Sequence, residues 1–227
     1  MSLGEVRALL ARLNDEERAA VLLTLRQDFR VALHPLEGAW NTTAEAILEA
    51  IHASPDLTQR GVRGILAEAT FRTTVVPNTL VRWRSIPFVG DQPYDLLLDD
   101  GAGQLKVQVK NQRREKGEVK LDPRLTKAHG FPVYVVETQR TRNGKAMGEG
   151  GAPIATRPYR FGEFDILAVC LQPSSGSWSD FIYCATHLLL PRADDNNLLQ
   201  IMQPVYSDGS HGWTYNFDQA AADVRNR

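Results

Sequence analysis

The chain has 227 residues, of which 43% are hydrophobic and 23% are charged, and its formal net charge is −1. This composition is typical of a soluble globular protein, and the length suffices for one domain with a sizeable core. No apolar run approaches the ~20 residues that span a bilayer. The N-terminus also lacks the basic start and apolar block of a secretory signal, so we expect a cytoplasmic protein.

Histidine and cysteine do not indicate a metal site. The two cysteines, Cys170 and Cys184, lie far apart and lack metal-type spacing, which predicts free thiols in a reducing compartment. The five histidines show no ligand spacing either.

The charges are unevenly distributed along the chain. Residues 103–145 contain eleven Lys/Arg and four Asp/Glu, a balance of +7, whereas residues 1–60 and 163–227 carry −3 and −5. A basic middle between acidic flanks is typical of a localised surface that faces phosphates. The alternative is a solvated, charge-rich loop.

The N-terminal region, residues 1–55, reads as a series of short helices. Apolar residues at helical spacing predict helices over residues 3–13 and from Asn14, a suitable N-cap, to about residue 32. Thr42 with Glu45 resembles a capping box before a helix over residues 44–53, and Ser54-Pro55 interrupts the pattern. We find no residue pattern here that indicates chemistry, and we assign the functional core to residues 56–227.

A further helix is predicted over residues 57–72. Its apolar stripe contains Val62, Ile65 and Leu66, and Glu68 lies at the edge of that stripe. Two β-prone runs, residues 73–76 and 79–83, follow and predict a pair of strands.

The next stretch, residues 93–110, predicts a β-hairpin. One arm is apolar, the turn Asp100-Gly101-Ala102-Gly103 contains two glycines, and the return arm alternates apolar and polar residues up to Lys110. A symmetric loop would pair residues whose numbers sum to 203, so Asp95 would lie opposite Gln108. Lys110 is two residues further on, on the same face, and a slip of one residue would reverse both side chains.

Later segments predict the rest of a central sheet. Strands are expected over residues 131–138, 166–171 and 181–185, a short helix over 124–129, and helices over 198–202 and 218–224 at the periphery. Asp165 opens one of these strands as an acid in a turn, although a role as a metal ligand is possible. The predicted fold class is α/β, with a mixed central sheet of about five strands and helices on both sides.

The pattern Pro93-Tyr94-Asp95, twelve intervening residues and Gln108-Val109-Lys110 resembles the PD-(D/E)xK nuclease superfamily, and is closest to type II restriction endonucleases. The resemblance implies a restriction-endonuclease-like fold, a first acid that holds a divalent metal, and a lysine that positions or activates the attacking water. Asp95 matches the acid and Lys110 the lysine. Gln108 departs from the pattern, because it replaces the second acid by its amide, as in some family members.

The resemblance also implies the remaining parts of the site. In many of these nucleases a glutamate on a helix before the hairpin joins the metal site, a position that Glu68 matches; the alternative is an ordinary exposed glutamate. The expected ion is Mg²⁺, held by Asp95, Glu68, the Gln108 amide oxygen and the Val109 backbone carbonyl. The basic residues expected to contact DNA are Arg113, Arg114, Lys116, Arg140, Arg142 and Lys145.

Three functions are compatible with this pattern. The first is a sequence-specific, Mg²⁺-dependent endonuclease of double-stranded DNA, a type II restriction enzyme, expected to be a homodimer because two-fold DNA sites favour two-fold proteins. The second is a repair or junction-resolving nuclease of the same fold. The third, suggested by Gln108, is a catalytically inactive DNA-binding protein. Without the nuclease pattern, the same stretch would be an ordinary surface hairpin.

Overall fold

The computed structural model of the protein describes residues 2–29, 31–32, 34–140 and 158–226. The chain forms two compact units, Met1–Gln59 and Arg60–Arg227. Every helix within the described ranges is too short or too polar to cross a bilayer.

The first unit consists of short helices. Ser2 and Asn14 cap the first two helices, and each forms a capping box with the glutamate three residues later, which confirms the predicted role of Asn14. The second helix ends at Gln27, before the predicted end near residue 32. The helices are α1 (Leu3–Leu10), α2 (Asp15–Gln27), α3 (Pro35–Trp40), α4 (Ala44–His52) and the first turn of α5 (Asp56–Thr70).

Buried Glu37 of α3 links α2 to α4. Its Oε1 accepts hydrogen bonds from Arg26 Nη2 at 2.6 Å and from the Ala44 backbone N–H at 2.7 Å. Arg26 Nη2 also binds Glu45 at 2.6 Å. The predicted capping box of Thr42 with Glu45 is therefore wrong: Thr43 caps α4, and Glu45 is used in the ion pair with Arg26.

The second unit is built on a six-stranded mixed sheet with the order β1-β2-β3-β7-β8-β10. The pair β3–β7 is parallel, and the other neighbouring pairs are antiparallel. The other four strands form two separate two-stranded ribbons, β4–β5 and β6–β9. The bounds are β1 (Arg84–Ile86), β2 (Leu96–Asp99), β3 (Gln104–Asn111), β4 (Arg114–Glu115), β5 (Glu118–Val119), β6 (Val133–Glu137), β7 (Ile166–Cys170), β8 (Phe181–Ala185), β9 (Met202–Tyr206) and β10 (Trp213–Thr214). The helices of this unit after α5 are α6 (Val76–Asn78), α7 (Pro123–His129), α8 (Gln172–Ser175) and α9 (Phe217–Arg225).

The two faces of this sheet are covered differently. Buried residues of α5 and α9 pack on one face, and the β6–β9 ribbon covers most of the other. Every residue of β7 and β8 is buried, as expected for strands that are covered on both faces. The predicted mixed sheet with helices is confirmed, whereas the prediction of helices on both faces is corrected, because a strand ribbon replaces the helices on the second face.

The hairpin register is the one that its turn predicted. Leu96 pairs with Val107 and Asp99 with Gln104, so the residue numbers of each pair sum to 203. Inside the turn, Asp99 Oδ1 accepts a hydrogen bond from Gly101 N–H at 2.7 Å, and Gly101 has φ +86°. The predicted register of the hairpin is therefore confirmed.

The carboxylate of Asp100 connects the same turn to the rest of the unit. It accepts hydrogen bonds from Arg225 at 2.7 Å and 3.0 Å, and from Arg82 at 3.0 Å. The bond from the Arg225 guanidinium is the main reason that the pKa of Asp100 is well below its usual range.

The segment after α5 differs from its prediction. Residues Phe71–Val75 continue the helix as π-helical turns, and α6 follows, so the predicted strand over residues 73–76 is wrong. The predicted strand over residues 79–83 is also wrong, because these residues form turns before β1. Phe71 and Val75 are buried, and the Phe71 ring contacts the Phe181 ring with centroids 4.9 Å apart. Burial of these side chains from a helix outweighs their β propensity.

Three smaller predictions are also corrected. Ile65, expected in the buried stripe of α5, is 67% exposed, and Ala67 is buried instead. Residues 198–202 form β bridges and the start of β9 rather than a helix. Helix α9 is not peripheral, because Phe217 packs against the rings of Trp83 and Tyr183 in the core.

Both cysteines are buried free thiols, as predicted. Burial raises the pKa of Cys170 to about 11 and that of Cys184 to about 12. Thiols with such pKa values are poor nucleophiles at neutral pH.

Asp165 has a structural role at the start of β7. Its Oδ2 accepts a hydrogen bond from Lys106 N–H at 2.8 Å, and its own N–H donates to Lys106 O at 2.8 Å. Its carbonyl accepts a further bond from Thr186 N–H. These bonds fix the parallel pairing of β3 with β7.

The first testable prediction concerns this residue. Replacing Asp165 by alanine leaves the Lys106 N–H without its acceptor, which should lower the free energy of unfolding by about 1–3 kcal/mol. Asp165→Asn, which keeps an oxygen acceptor, should lose less. Urea denaturation of the three proteins measures both effects, and an alanine variant as stable as the parent would contradict this role.

Candidate functional site

Asp95 lies immediately before β2, where the hairpin register places it opposite Gln108. Its N–H donates to Val107 O at 3.0 Å, which extends the ladder by one residue. Its Oδ2 accepts hydrogen bonds from the Val109 N–H at 2.8 Å and from Gln108 Nε2. Both hydrogen bonds from the described residues go to Oδ2, so Oδ1 is the uncommitted oxygen of this carboxylate.

Gln108 is buried, with 2% of its surface exposed, and its amide lies between two oxygen atoms. Nε2 donates to Asp95 Oδ2 and lies 3.3 Å from the Val109 carbonyl oxygen. In this orientation the amide N–H groups point toward the oxygens of Asp95 and Val109. Coordination of a cation by Gln108 requires the amide to turn over, so that Oε1 replaces Nε2.

Lys110 follows on the same face of β3. Burial lowers the pKa of its ammonium group, and the charges of Asp95 and Glu68 partly offset this effect. Within the described part of the chain, the ammonium makes no hydrogen bond and no ion pair. Its Nζ lies over the Tyr159 ring, 5.5 Å from the centroid.

Glu68 reaches the same place from α5. Arg72, one turn later, donates from Nη2 to Glu68 Oε1 at 2.7 Å and to the Asp95 carbonyl at 3.1 Å, which joins the end of this helix to the start of β2. Burial raises the pKa of Glu68, and the negative charge of Asp95 adds to the increase. The structure therefore places Glu68, Asp95, Gln108 and Lys110 near one another, and their common role as a site stays a prediction.

Burial destabilises the charged forms of both carboxylates of this group. Burial raises the pKa of Asp95, although Lys110 and the hydrogen bonds act in the opposite direction. Two partly buried carboxylates that repel each other are stabilised by a positive charge between them. The oxygen atoms that could hold a cation belong to Asp95, Glu68, Val109 and, after its amide turns, Gln108.

This donor set suits a hard cation. The described residues contain no group of three His, Cys, Asp or Glu side chains arranged for a metal, so two carboxylates and neutral oxygens are what the site offers. Mg²⁺ is commonly bound by one or two carboxylates while it retains several waters. The residues present therefore fit Mg²⁺ better than a metal that requires nitrogen or sulfur ligands.

The basic residues expected at DNA are placed in different environments. Arg113 pairs with Glu137, and Arg140 Nη2 binds Glu163 at 2.6 Å. Arg114 is half-buried in β4, and Lys116 is exposed at the turn that follows it. Arg142 and Lys145 lie outside the described residues.

Two residues of the site were absent from the sequence prediction. Arg72 follows Glu68 at the i,i+4 spacing of a helical ion pair, which is a signal that sequence reasoning could have used. Tyr159, whose ring contacts Lys110, lies 49 residues further along the chain and carries no local signal.

Comparisons with known proteins give little further information. No protein-family model matches the sequence, and no curated protein matches it. One solved structure to which the chain is similar is the bacterial homing endonuclease I-Ssp6803I, at 23% identity over 56% of this chain and 70% of that one, with a TM-score of 0.36. This similarity is too low to support a conclusion about fold or function.

The second testable prediction concerns the charge of Asp95. Because its pKa is higher in the folded than in the unfolded protein, ionisation of Asp95 costs stability, and the cost grows as the pH rises from the unfolded-state pKa of about 3.9 through the folded-state value. Asp95→Asn, which stays neutral and keeps an acceptor for Val109, should therefore raise the free energy of unfolding at about pH 8. The gain should shrink toward about pH 4.

Urea denaturation in chelator across this pH range measures the effect. Asp180→Asn, at an exposed acid, is the matched control and should show no comparable trend. A variant whose stability relative to the parent does not change with pH would contradict the prediction.

Proposed function

We propose that the protein is a Mg²⁺-dependent endonuclease that hydrolyses phosphodiester bonds of double-stranded DNA in a sequence-specific manner, as type II restriction enzymes do. The observation that supports this proposal is the convergence of Asp95, Gln108 and Lys110 through one hairpin register, joined by Glu68 from α5. The mixed sheet that carries these residues is compatible with a restriction-endonuclease-like fold. A homodimer on a two-fold DNA site is part of the proposal.

In this proposal Asp95 and Glu68 hold the cation, with the Val109 carbonyl and the Gln108 amide oxygen as neutral ligands. The cation would polarise the scissile phosphate and lower the pKa of a bound water. Gln108 contributes no charge, so the two negative charges of the site come from Asp95 and Glu68. Binding of the cation would displace the hydrogen bond from Gln108 Nε2 to Asp95.

Lys110 would act on the attacking water and on the phosphate. As an ammonium group it can donate a hydrogen bond to a phosphate oxygen and stabilise the charge that develops there. Because burial lowers its pKa, the neutral amine is more accessible than in a free lysine, and it can accept a proton from the water at Nζ. If the cation took the place of Arg72 beside Glu68, the Arg72 guanidinium would be free to bind another phosphate oxygen.

The basic balance of residues 103–145 supports a DNA substrate. This segment, at +7, includes Lys110 itself and the ribbon β4–β5 that directly follows β3. Arg114 and Lys116 on this ribbon are the simplest candidates for phosphate contacts. Arg113 and Arg140 would have to exchange their carboxylate partners for phosphate.

A second candidate function is favoured by one observation. Gln108 donates its Nε2 to Asp95 and thereby satisfies the carboxylate without any cation. A chain that kept this arrangement permanently would bind DNA without cutting it. The proposal of an inactive DNA-binding protein therefore competes directly with that of the nuclease, and a cleavage assay separates the two.

The third testable prediction is the loss of cleavage in two variants. Asp95→Ala removes the proposed metal anchor and Lys110→Ala removes the ammonium group, and each should reduce plasmid cleavage in Mg²⁺ by at least about 10²-fold while DNA binding in Ca²⁺ changes little. Asp180→Asn, which alters an exposed acid outside the proposed site, is the matched control and should cleave as the parent does.

The products of the parent protein distinguish the candidate functions. Discrete fragments support restriction-type cleavage, cuts confined to junctions or damaged sites support a repair nuclease, and binding without cutting supports the inactive protein. Full cleavage by either alanine variant would exclude the proposed site.

The fourth testable prediction concerns the salt dependence of DNA binding. Arg114→Ala and Lys116→Ala should each weaken affinity for all DNA sequences alike and reduce the slope of log K against log [salt] by about 1, because each removes one phosphate contact. Arg192→Ala, in the acidic C-terminal third, is the control and should leave the slope unchanged. An unchanged slope in the β4–β5 variants would refute this placement of the DNA.

A further inference from the structure

Lys110 is a partly buried cation with few polar partners. Its ammonium group makes no hydrogen bond and no ion pair with the described residues, although Asp95 and Glu68 are close enough to influence it. The group that its Nζ faces is the ring of Tyr159, 5.5 Å from the ring centroid. The face of an aromatic ring carries partial negative charge and attracts a cation, most strongly where water is excluded.

Tyr159 is itself rigidly placed. The residue is buried, with 4% of its surface exposed, and its ring packs edge-to-face on Phe164 with centroids 5.3 Å apart. Its carbonyl accepts a hydrogen bond from Leu199 N–H at 2.8 Å. Its neighbours Pro158 and Arg160 form β bridges with Gln139 and Leu198. The ring therefore has little freedom to move away from Lys110.

The same ring contacts a second cation. The Arg140 guanidinium lies 5.5 Å from the Tyr159 centroid and is fixed by its ion pair with Glu163. Tyr159 thus contacts both the lysine of the candidate site and Arg140. Neither the hairpin pattern nor the proposed metal ligands account for this arrangement.

We propose that Tyr159 is a positioning residue that holds the Lys110 ammonium group in place through its aromatic face. The long side chain of lysine can adopt many rotamers, and attraction to a fixed ring favours those that keep Nζ beside Asp95 and Glu68. The hydroxyl group of Tyr159 has no part in this role; the ring alone is required. The proposal rests on the proposed function, because the step that benefits is the one in which Lys110 acts.

The experiment varies the electron density of the ring while it keeps the shape almost constant. Tyr159 is replaced by phenylalanine and by phenylalanines that carry one, two and three ring fluorines, which progressively weaken the attraction for a cation. We expect Tyr159→Phe to cleave DNA within about twofold of the parent. Each added fluorine should then lower kcat, to a total of about tenfold or more, with little change in KM.

A merely structural role predicts a different result. If the ring served only to fill space, kcat would not follow the number of fluorines, and a flat series would overturn the proposal. Tyr159→Leu is a supplementary variant that removes the ring. The fluorinated series keeps the test valid if the leucine variant fails to fold.

A control separates Lys110 from Arg140, because fluorination weakens both contacts. The series is repeated with Arg140→Gln and Glu163→Gln combined, which removes the second cation together with its partner. Persistence of the dependence on fluorine in this background assigns the effect to Lys110. Loss of the dependence would assign it to Arg140 and overturn the proposal.

A second measurement does not depend on cleavage. In the folded protein, the ε-methylene protons of Lys110, assigned by comparison with Lys110→Arg, should show an upfield ring-current shift that Tyr159→Phe retains and Tyr159→Leu abolishes. If the parent protein does not cut DNA, the proposed function fails, while this shift still decides whether Tyr159 holds Lys110. Absence of the shift in the parent would overturn the proposal whatever the outcome of the cleavage assays.

Discussion

The register of β2 against β3 is the constraint on which the candidate site depends. A strand alternates its side chains between two faces, so the pairing of Leu96 with Val107 also decides that Asp95 faces Gln108 and that Lys110 follows on the same side. Asp165 supports this register from the other edge of β3, because it holds both backbone groups of Lys106 in the parallel pair with β7. A slip of one residue in the pairing of β2 with β3 would turn Gln108 and Lys110 to the face away from Asp95.

The site that results contains charged groups that burial destabilises. Burial raises the pKa values of Asp95 and Glu68 and lowers that of Lys110, so the three charged groups are less stable there than in water. The protein compensates with hydrogen bonds from Gln108 and Arg72 and with the ring of Tyr159. Groups that are costly to bury and only partly compensated are frequent at functional sites. An ordinary surface hairpin does not gather such groups, which is why this cluster supports the proposed site.

The replacement of an acid by Gln108 gives the site two possible states. With Nε2 toward Asp95, the amide satisfies Oδ2 of Asp95 by a hydrogen bond, and its own oxygen is turned away from the carboxylate. With Oε1 in that place, the amide becomes a ligand, and a cation has to balance the oxygens that then face one another. The two orientations have nearly the same shape and differ in electrostatics, so in the proposed function the amide would couple cation binding to the hydrogen bonding of Asp95.

The sequence by itself determined the local parts of this protein. Alternation in residues 104–110 and the glycines of the turn predicted the hairpin and its register, and apolar runs predicted β6, β7 and β8, because these patterns act between near neighbours in the chain. Tertiary structure decided the rest. Residues 73–76, predicted as a strand, are helical because burial of Val75 and Val76 outweighs propensity. The Leu66 side of α5 is exposed although it is apolar. The contact of Tyr159 with Lys110 joins residues 49 positions apart. No periodicity encodes this contact, because it forms only when Tyr159 packs with the β6–β9 ribbon on the sheet.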